Sequence, residues 1–198
     1  MGWDLKKELK RKAVHLLAIS FVIIFVLVSS TFGKKLALFS LVFLLVLFLE
    51  MDYVRVELRH KIPFFWRFWR TKEKNRFGGQ VFFLIGSIIA FAVFDFNIAF
   101  AAVLMTTFGD MAASLIGKRF GKIWVAKERA LEGVAAEFLV DILIAFILLD
   151  NWIVMVVMAL TATIVEALIY KLDDNLIIPL FSGFNGQLVL YLLKILKV

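Results

Sequence analysis

The sequence predicts an all-α protein, a polytopic bundle of about seven transmembrane helices with its N-terminus in the cytoplasm. Hydrophobic residues make up 63% of the 198 residues, whereas an ordinary soluble domain has about 45–50%. The mean hydropathy is +0.94. Several apolar stretches approach the ~20 residues that a helix needs to cross a bilayer. The basic residues are also distributed very unequally between alternate loops, which is typical of a multi-pass membrane protein.

Each apolar stretch is expected to form one membrane-spanning helix. The stretches are 13–32, 36–54, 77–94, 96–116, 133–149, 152–170 and 176–193. The first is longer than the ~7–15-residue core of a signal peptide and lacks a small-x-small cleavage pattern, so we expect it to be retained. Six stretches are continuous. The last contains FSGFNGQ at 181–187, so a full span and a broken, re-entrant helix both stay open.

The basic residues predict the orientation. With a cytoplasmic N-terminus, 19 of the 23 Lys and Arg residues lie in cytoplasmic segments and four lie outside. The positive-inside rule favours this arrangement. The net charge of +7 is therefore interpreted as a topology signal and not as a nucleic-acid-binding surface. We expect a multi-pass protein of the cell membrane, and the sequence leaves its oligomeric state open.

Residues 1–198 are expected to form one integral membrane domain, because no repeat, low-complexity tract or domain-sized linker is present. The longest predicted cytoplasmic loop contains IPFFWRFWR at 62–70, where aromatic and basic residues alternate. Such a segment is typical of anchoring in the headgroup layer. A gate for a lipid substrate is the second interpretation.

The composition excludes several chemistries. There is no cysteine and there are only two histidines, His15 and His60. Thiolate metal sites, cysteine nucleophiles and two-histidine zinc motifs are therefore excluded. A bound metal would have to be a hard ion with oxygen ligands, such as Mg²⁺.

Carboxylates within the predicted spans all lie towards the cytoplasmic side. They include Glu50, Asp110, Glu137, Asp141 and Glu166. Ionisable residues within spans are costly and often functional, so this asymmetry predicts an acidic, water-accessible cavity that opens to the cytoplasm. A single such carboxylate is more often a snorkelling or hydrogen-bonded residue, which is the alternative for Glu50 or Glu137 taken alone.

The fourth span ends in GDMAASLIGKRFGK at 109–122. We expect Gly117 and Gly121 to interrupt the helix and to let backbone amides approach phosphate oxygens, with Lys118 and Lys122 supplying positive charge. Basic residues at a cytoplasmic helix end also satisfy the positive-inside rule, which is the simpler interpretation. A Walker A pattern is absent.

Two further short motifs lie on the same predicted face. In KERALEG at 127–133, Lys127 and Glu132 could hold a triphosphate and a magnesium ion together. In KLDDNLIIPL at 171–180, Asp173, Asp174 and Asn175 offer oxygen ligands for magnesium. Helix capping is the alternative for these three side chains.

These motifs, taken in order, resemble the CTP-dependent polyprenol kinases, a family that includes dolichol kinase, phytol kinase and the CTP-dependent diacylglycerol kinase. Four motifs carry the resemblance and extend over nearly the whole chain. They are Arg11-Lys12-x-x-His15, Gly109-Asp110-x-x-Ala113 through Gly121-Lys122, Lys127-x(4)-Glu132-Gly133, and Asp173-Asp174-Asn175-Leu-x-x-Pro179-Leu180.

The resemblance implies transfer of the γ-phosphoryl group of CTP, with Mg²⁺, to a membrane isoprenoid alcohol at the cytoplasmic face. It implies catalytic roles for Asp110, Glu132 and Asp174, with metal binding by Asp110, Glu132 and Asp173. Asp110 would bind magnesium or accept the alcohol proton. The residues implied in nucleotide binding are Arg11, Lys12, Gly117, Lys118, Gly121, Lys122, Lys127, Gly133 and Asn175.

Two other functions stay open. The middle motifs also resemble phosphatidate cytidylyltransferase, a CDP-lipid synthase, but the C-terminal signature of that family is absent here. A small ion-coupled transporter would also carry carboxylates within its spans. A permeation path, however, needs polar residues in both leaflets, and the predicted outer halves are apolar.

Overall fold

The predicted apolar stretches all form helices, which confirms the all-α class. The computed structural model describes residues 5–58, 76–126, 129–169 and 171–196. Its helices are α1 (Leu5–Phe32), α2 (Lys34–Val56), α3 (Gly79–Val93), α4 (Phe96–Leu104), α5 (Asp110–Phe120), α6 (Leu131–Leu148), α7 (Trp152–Leu168) and α8 (Asp174–Leu196). A short antiparallel hairpin of β1 (Trp124–Ala126) and β2 (Arg129–Ala130) was not predicted.

The fourth predicted span is one helical run with a π-helical turn in its middle. Helices α4 and α5 are joined directly by the turn Met105–Gly109. The hydroxyl of Thr106 donates to the carbonyl of Ala102 at 2.8 Å, as a side chain can do inside a helix. Turns of this kind are rare and often occur at functional sites. Here the turn ends immediately before Asp110.

The last span is a continuous helix, so the broken-helix interpretation of 181–187 is wrong. The polar side chains of this stretch find partners on neighbouring elements. Asn185 donates from Nδ2 to Oγ1 of Thr161 in α7 at 3.1 Å. The Oε1 atom of Gln187 accepts from the backbone N–H of Asp95 at 2.8 Å. These contacts satisfy the polar groups without any break in the backbone.

The outer surface of the bundle is apolar, as expected for contact with lipid. Large side chains face outward, including Phe39 and Phe146, which are 70% and 72% exposed. Among the described helices, α2, the run Phe96–Phe120 and α8 are long and apolar enough to cross a membrane. Seven spans and a cytoplasmic N-terminus stay predictions. The aromatic-basic stretch at 62–70 lies outside the described residues.

The helices pack as consecutive neighbours around one core. Gly33, with φ of 89°, makes the single-residue turn between α1 and α2, because glycine tolerates positive φ. Phe25 of α1 stacks on Phe91 of α3 with ring centroids 4.0 Å apart. Helix α8 packs against α3, α4 and α7, and α6 packs between α5 and α7. This order brings α5, the hairpin and the adjoining ends of α6, α7 and α8 together.

Candidate active site

A polar pocket lies where these elements meet. It encloses about 150 Å³. Its lining residues are Asp110, Ala113, Ser114, Gly117, Lys118, Arg129, Ala130, Gly133, Val134, Glu166 and Asp174. Three carboxylates and two cationic side chains, carried by α5, β2, α7 and α8, therefore face one small space.

Helix α5 supplies one wall through a single face. Asp110, Ser114 and Lys118 recur at intervals of four residues, so their side chains project from the same side of the helix. Asp110 is the first residue of α5, directly after the π turn. Asp110 and Lys118 are both predicted from the sequence as functional residues, and the structure places both at the pocket.

Gly117 and Gly133 allow α5 and α6 to approach closely. A methyl group at Gly133 would lie 2.6 Å from the carbonyl oxygen of Ala113 and 3.1 Å from the Cα of Gly117. Small residues permit this kind of backbone contact between membrane helices. The expectation that Gly117 interrupts the helix is wrong, because α5 continues to Phe120. Gly117 is a packing residue whose backbone also lines the pocket.

Arg129 connects the hairpin to both α7 and α8. Its guanidinium forms an ion pair with the Oε1 atom of Glu166, and its Nη2 atom donates to Oδ2 of Asp174 at 2.9 Å. Glu166 is only 1% exposed, whereas Asp174 is 33% exposed. The planar guanidinium suits two carboxylates at once. Arg129 was not among the predicted site residues.

Glu132 is bound to the backbone of the turn before the hairpin. Its Oε1 atom accepts from the N–H of Lys122 at 3.0 Å. Hydrogen bonds from its own N–H and from those of Lys122 and Ile123 hold the pKa of Glu132 below the ordinary value of 4.5. Glu132 is therefore a charged carboxylate that fixes the entry to α6, and it does not line the pocket.

Asp173 caps the start of α8, and Asn175 is its hydrogen-bond donor. The Oδ1 atom of Asp173 accepts from the backbone N–H of Asn175 at 3.1 Å and from its Nδ2 at 2.8 Å. The carbonyl of Asp173 accepts from the N–H of Leu176 at 3.0 Å. This is the capping arrangement that the sequence analysis kept as an alternative. Asp174 is the member of the motif that faces the pocket.

The other carboxylates of the predicted acidic cavity are placed differently. Glu137 and Asp141 lie on one face of α6, as their spacing predicted, but they are buried against the π turn. A methyl group at Gly109 would lie 2.6 Å from Oδ1 of Asp141. Glu50 is exposed on α2. Of the five carboxylates predicted to form the cavity, the structure brings Asp110 and Glu166 to the pocket.

The remaining predicted nucleotide-binding residues are at or beyond the edge of the pocket. Gly121 ends α5, and its N–H donates to the carbonyl of Gly117 at 3.0 Å. The Lys122 side chain is exposed next to it. Lys127 lies outside the described residues. Arg11 and Lys12 are in α1, in a stretch where only the backbone is described.

The carboxylates that line the pocket are of the kind that bind magnesium in proteins. In the described ranges, no three Asp, Glu or His side chains are grouped as a metal cage, so Asp110, Glu132 and Asp173 do not form a preformed cluster. Magnesium usually keeps several waters and binds through one or two carboxylates together with substrate phosphates. Asp110 and Asp174 supply that number of ligands at the pocket.

Sequence reasoning missed Arg129, Glu166 as the partner of Arg129, and Ser114. Arg129 was counted only among the basic residues that determine topology. Its partners are 37 and 45 residues away along the chain, at Glu166 and Asp174. The available signal was the position of Arg129 three residues before Glu132, which directly precedes the predicted span 133–149.

Comparisons with known proteins identify relatives of one kind. The chain is 28% identical to CTP-dependent diacylglycerol kinase 1 of Schizosaccharomyces pombe over 134 residues, which cover 58% of this chain and 61% of that protein. It is 24% identical to the Saccharomyces cerevisiae protein of the same name over 152 residues, or 72% of this chain and 50% of that protein. A third relative of that name, from Eremothecium gossypii, is 29% identical over 76 residues, 37% of this chain and 24% of that protein.

The chain thus spans about three fifths or less of the length of these relatives. No family model and no solved structure matches it. The predicted resemblance to the CTP-dependent lipid kinases is confirmed by these similarities.

Proposed function

We propose, from this similarity to CTP-dependent lipid kinases, that the chain transfers the γ-phosphoryl group of CTP to the hydroxyl group of a membrane lipid. The observation that carries the proposal is the pocket in which Asp110, Glu166 and Asp174 meet Lys118 and Arg129 at the end of an apolar bundle. Such a site can hold a metal-bound triphosphate beside a lipid-facing surface. We propose that this end of the bundle faces the cytoplasm, where CTP is available.

Diacylglycerol is the acceptor that we favour, because all three relatives carry it in their names. The isoprenoid alcohol expected from the sequence, such as dolichol or another polyprenol, has no such support and is kept as the alternative. Both acceptors present one hydroxyl group on a long apolar body. Apolar pockets discriminate chain length only weakly, so the acceptor has to be determined by assay.

The size of the pocket indicates which part of the nucleotide it would hold. A volume of about 150 Å³ is smaller than the ~300–1,000 Å³ that is usual for a whole ligand site. The charged lining matches the phosphates and not the base. We therefore propose that the β- and γ-phosphates enter the pocket and that the cytidine lies outside it.

Phosphoryl transfer depends mainly on positioning and on neutralising charge. Lys118 and Arg129 are positioned to bind phosphate oxygens, Lys118 as a point charge and Arg129 as a planar donor. Ser114, one helical turn from each of Asp110 and Lys118, can donate a hydroxyl hydrogen bond to the same phosphates. Close packing of Gly117 on Gly133 fixes α5, which carries Asp110, Ser114 and Lys118, relative to α6.

Asp110 is proposed to accept the proton of the lipid hydroxyl. The lipid oxygen forms a bond to the γ-phosphorus, the bond from that phosphorus to the bridging β–γ oxygen breaks, and CDP leaves with the bond's electron pair. Asp110 and Asp174 would hold Mg²⁺ with the phosphates. When bound, the ion supplies positive charge to the oxygens on which negative charge develops.

An acceptor assay tests the proposal. Purified protein in detergent is supplied with Mg²⁺ and CTP labelled at the γ-phosphate, and diacylglycerol and a polyprenol are offered separately and together. The proposal predicts labelled phosphatidic acid and preference for diacylglycerol in the mixture. Label in the polyprenol alone would show that the acceptor is the polyprenol and not diacylglycerol. No label in either lipid would refute a lipid kinase that acts on these two classes.

A further inference from the structure

We propose that Arg129 has one permanent and one exchangeable carboxylate partner, and that Glu166 is a positioning residue. Glu166 holds the Arg129 guanidinium in the pocket, whereas Asp174 gives up its place on Arg129 to a nucleotide phosphate and becomes available to the metal ion. This inference rests on the proposed function, and it specifies how the site changes from its nucleotide-free to its nucleotide-bound state.

The free-energy cost of breaking the ion pair with Arg129 differs between Glu166 and Asp174. Glu166 is 1% exposed on α7, so loss of its ion pair would leave a charge buried without compensation. The other oxygen of Glu166, Oε2, has no hydrogen-bond partner among the described residues, so the ion pair with Arg129 is the direct contact that offsets its charge. The Glu166 pair is therefore retained when a ligand enters.

Asp174 is in the opposite situation. It is 33% exposed at the first position of α8, so water or a metal ion can replace the guanidinium at little cost. Partly exposed ion pairs of this kind contribute little net stability. In the nucleotide-free state Asp174 and an incoming phosphate therefore compete for the same donor, Nη2 of Arg129.

The replacement of Asp174 by a nucleotide phosphate on Arg129 follows from the charges at the pocket. Without nucleotide, Arg129 offsets the charge of Asp174 while remaining paired with Glu166. When a phosphate takes the Nη2 donor, Asp174 becomes an unpaired carboxylate beside the phosphates, which is the ligand that an accompanying Mg²⁺ requires. Glu166 keeps the guanidinium from leaving the pocket during this change.

The inference makes opposite predictions for two variants that each remove one negative charge from the same pocket. CTP binding is measured by titration calorimetry on the detergent-solubilised protein in EDTA, so that no metal contributes. Asp174→Asn removes the competitor of the phosphate and should bind metal-free CTP about two- to fivefold more tightly, the range expected for loss of a partly exposed ion pair. Glu166→Gln releases the guanidinium and should weaken binding about tenfold. Glu50→Gln, on the exposed surface of α2, is the control and should match the wild type.

A general electrostatic effect, or a merely structural role, would move the first two variants in the same direction. Tighter binding by both, or unchanged or weaker binding by Asp174→Asn, would overturn the inference. If Glu166→Gln does not fold, the effect of Asp174→Asn on CTP binding is measured again in a protein that also carries Arg129→Lys. The exchange predicts that Asp174→Asn no longer tightens CTP binding in that protein. Tighter binding there would refute the exchange. Failure of the wild type to bind CTP when Mg²⁺ is added back would refute the proposed function itself.

Discussion

Replacement of Gly133 by alanine should separate the packing of α5 and α6 from the chemistry of the pocket. The new methyl group would lie 2.6 Å from the carbonyl oxygen of Ala113, whereas ordinary contact begins near 3.4 Å. Backbone atoms cannot rotate away, so α6 must retreat from α5 by about 0.4–0.8 Å, the difference between 2.6 Å and the tightest or ordinary contact distance. Overpacking of this kind costs about 1–3 kcal/mol, and a misplacement near 1 Å lowers a catalysed rate by up to about 100-fold.

The assay is transfer of γ-labelled phosphate to lipid at saturating CTP, together with the melting temperature in detergent. Gly186→Ala is the matched control, because its methyl group would lie 2.5 Å from the flexible side chain of Met158 on α7, and Gly186 does not line the pocket. We expect a folded Gly133→Ala protein with strongly reduced turnover and a Gly186→Ala protein with near-normal turnover. Wild-type turnover by folded Gly133→Ala would refute the reasoning that this helix contact positions the site.

Three further substitutions test individual roles. Asp110→Asn should abolish turnover with little change in melting temperature, because it removes the proposed proton acceptor; substantial turnover would exclude Asp110 from the mechanism. Lys127→Ala should raise the KM for CTP more than the KM for lipid, and the reverse pattern would contradict a nucleotide-binding role. Glu132→Gln should melt at a lower temperature than the wild type at neutral pH. Because the pKa of Glu132 is depressed in the folded protein, the difference in melting temperature between the wild type and the variant should be largest above pH 4.5. It should become smaller as the pH falls below that value. A difference in melting temperature that stays constant from pH 7 to pH 3 would contradict the hydrogen-bonding account.

The helices were predictable because long apolar runs separated by charged loops admit few alternatives. The structure differs where tertiary contacts decide the local conformation. FSGFNGQ at 181–187 has the composition of a helix break, yet Asn185 and Gln187 find partners on α7 and at the start of α4. The π turn before Asp110, which packs against α6, is likewise not visible in the composition of its residues.

The residues of the candidate site that lie in local sequence motifs were predictable, whereas those that depend on tertiary contacts were not. Asp110, Lys118 and Asp174 lie in short motifs that resemble a known family, and all three face the pocket. GKRFGK at 117–122 predicted a phosphate-binding turn, but a local pattern cannot indicate that Gly117 packs on Gly133. The role of Arg129 depends on two carboxylates on distant helices, and no spacing rule in one sequence predicts such a contact.

The most direct test of the central claim is the position of the label that reaches lipid. Purified protein with Mg²⁺ and diacylglycerol is supplied in parallel with CTP labelled at the γ-phosphate or at the α-phosphate. A lipid kinase transfers label to lipid from the γ position alone. Label from the α position would instead indicate a CDP-lipid synthase, in which the nucleotide monophosphate is transferred, and would contradict the function proposed for this pocket.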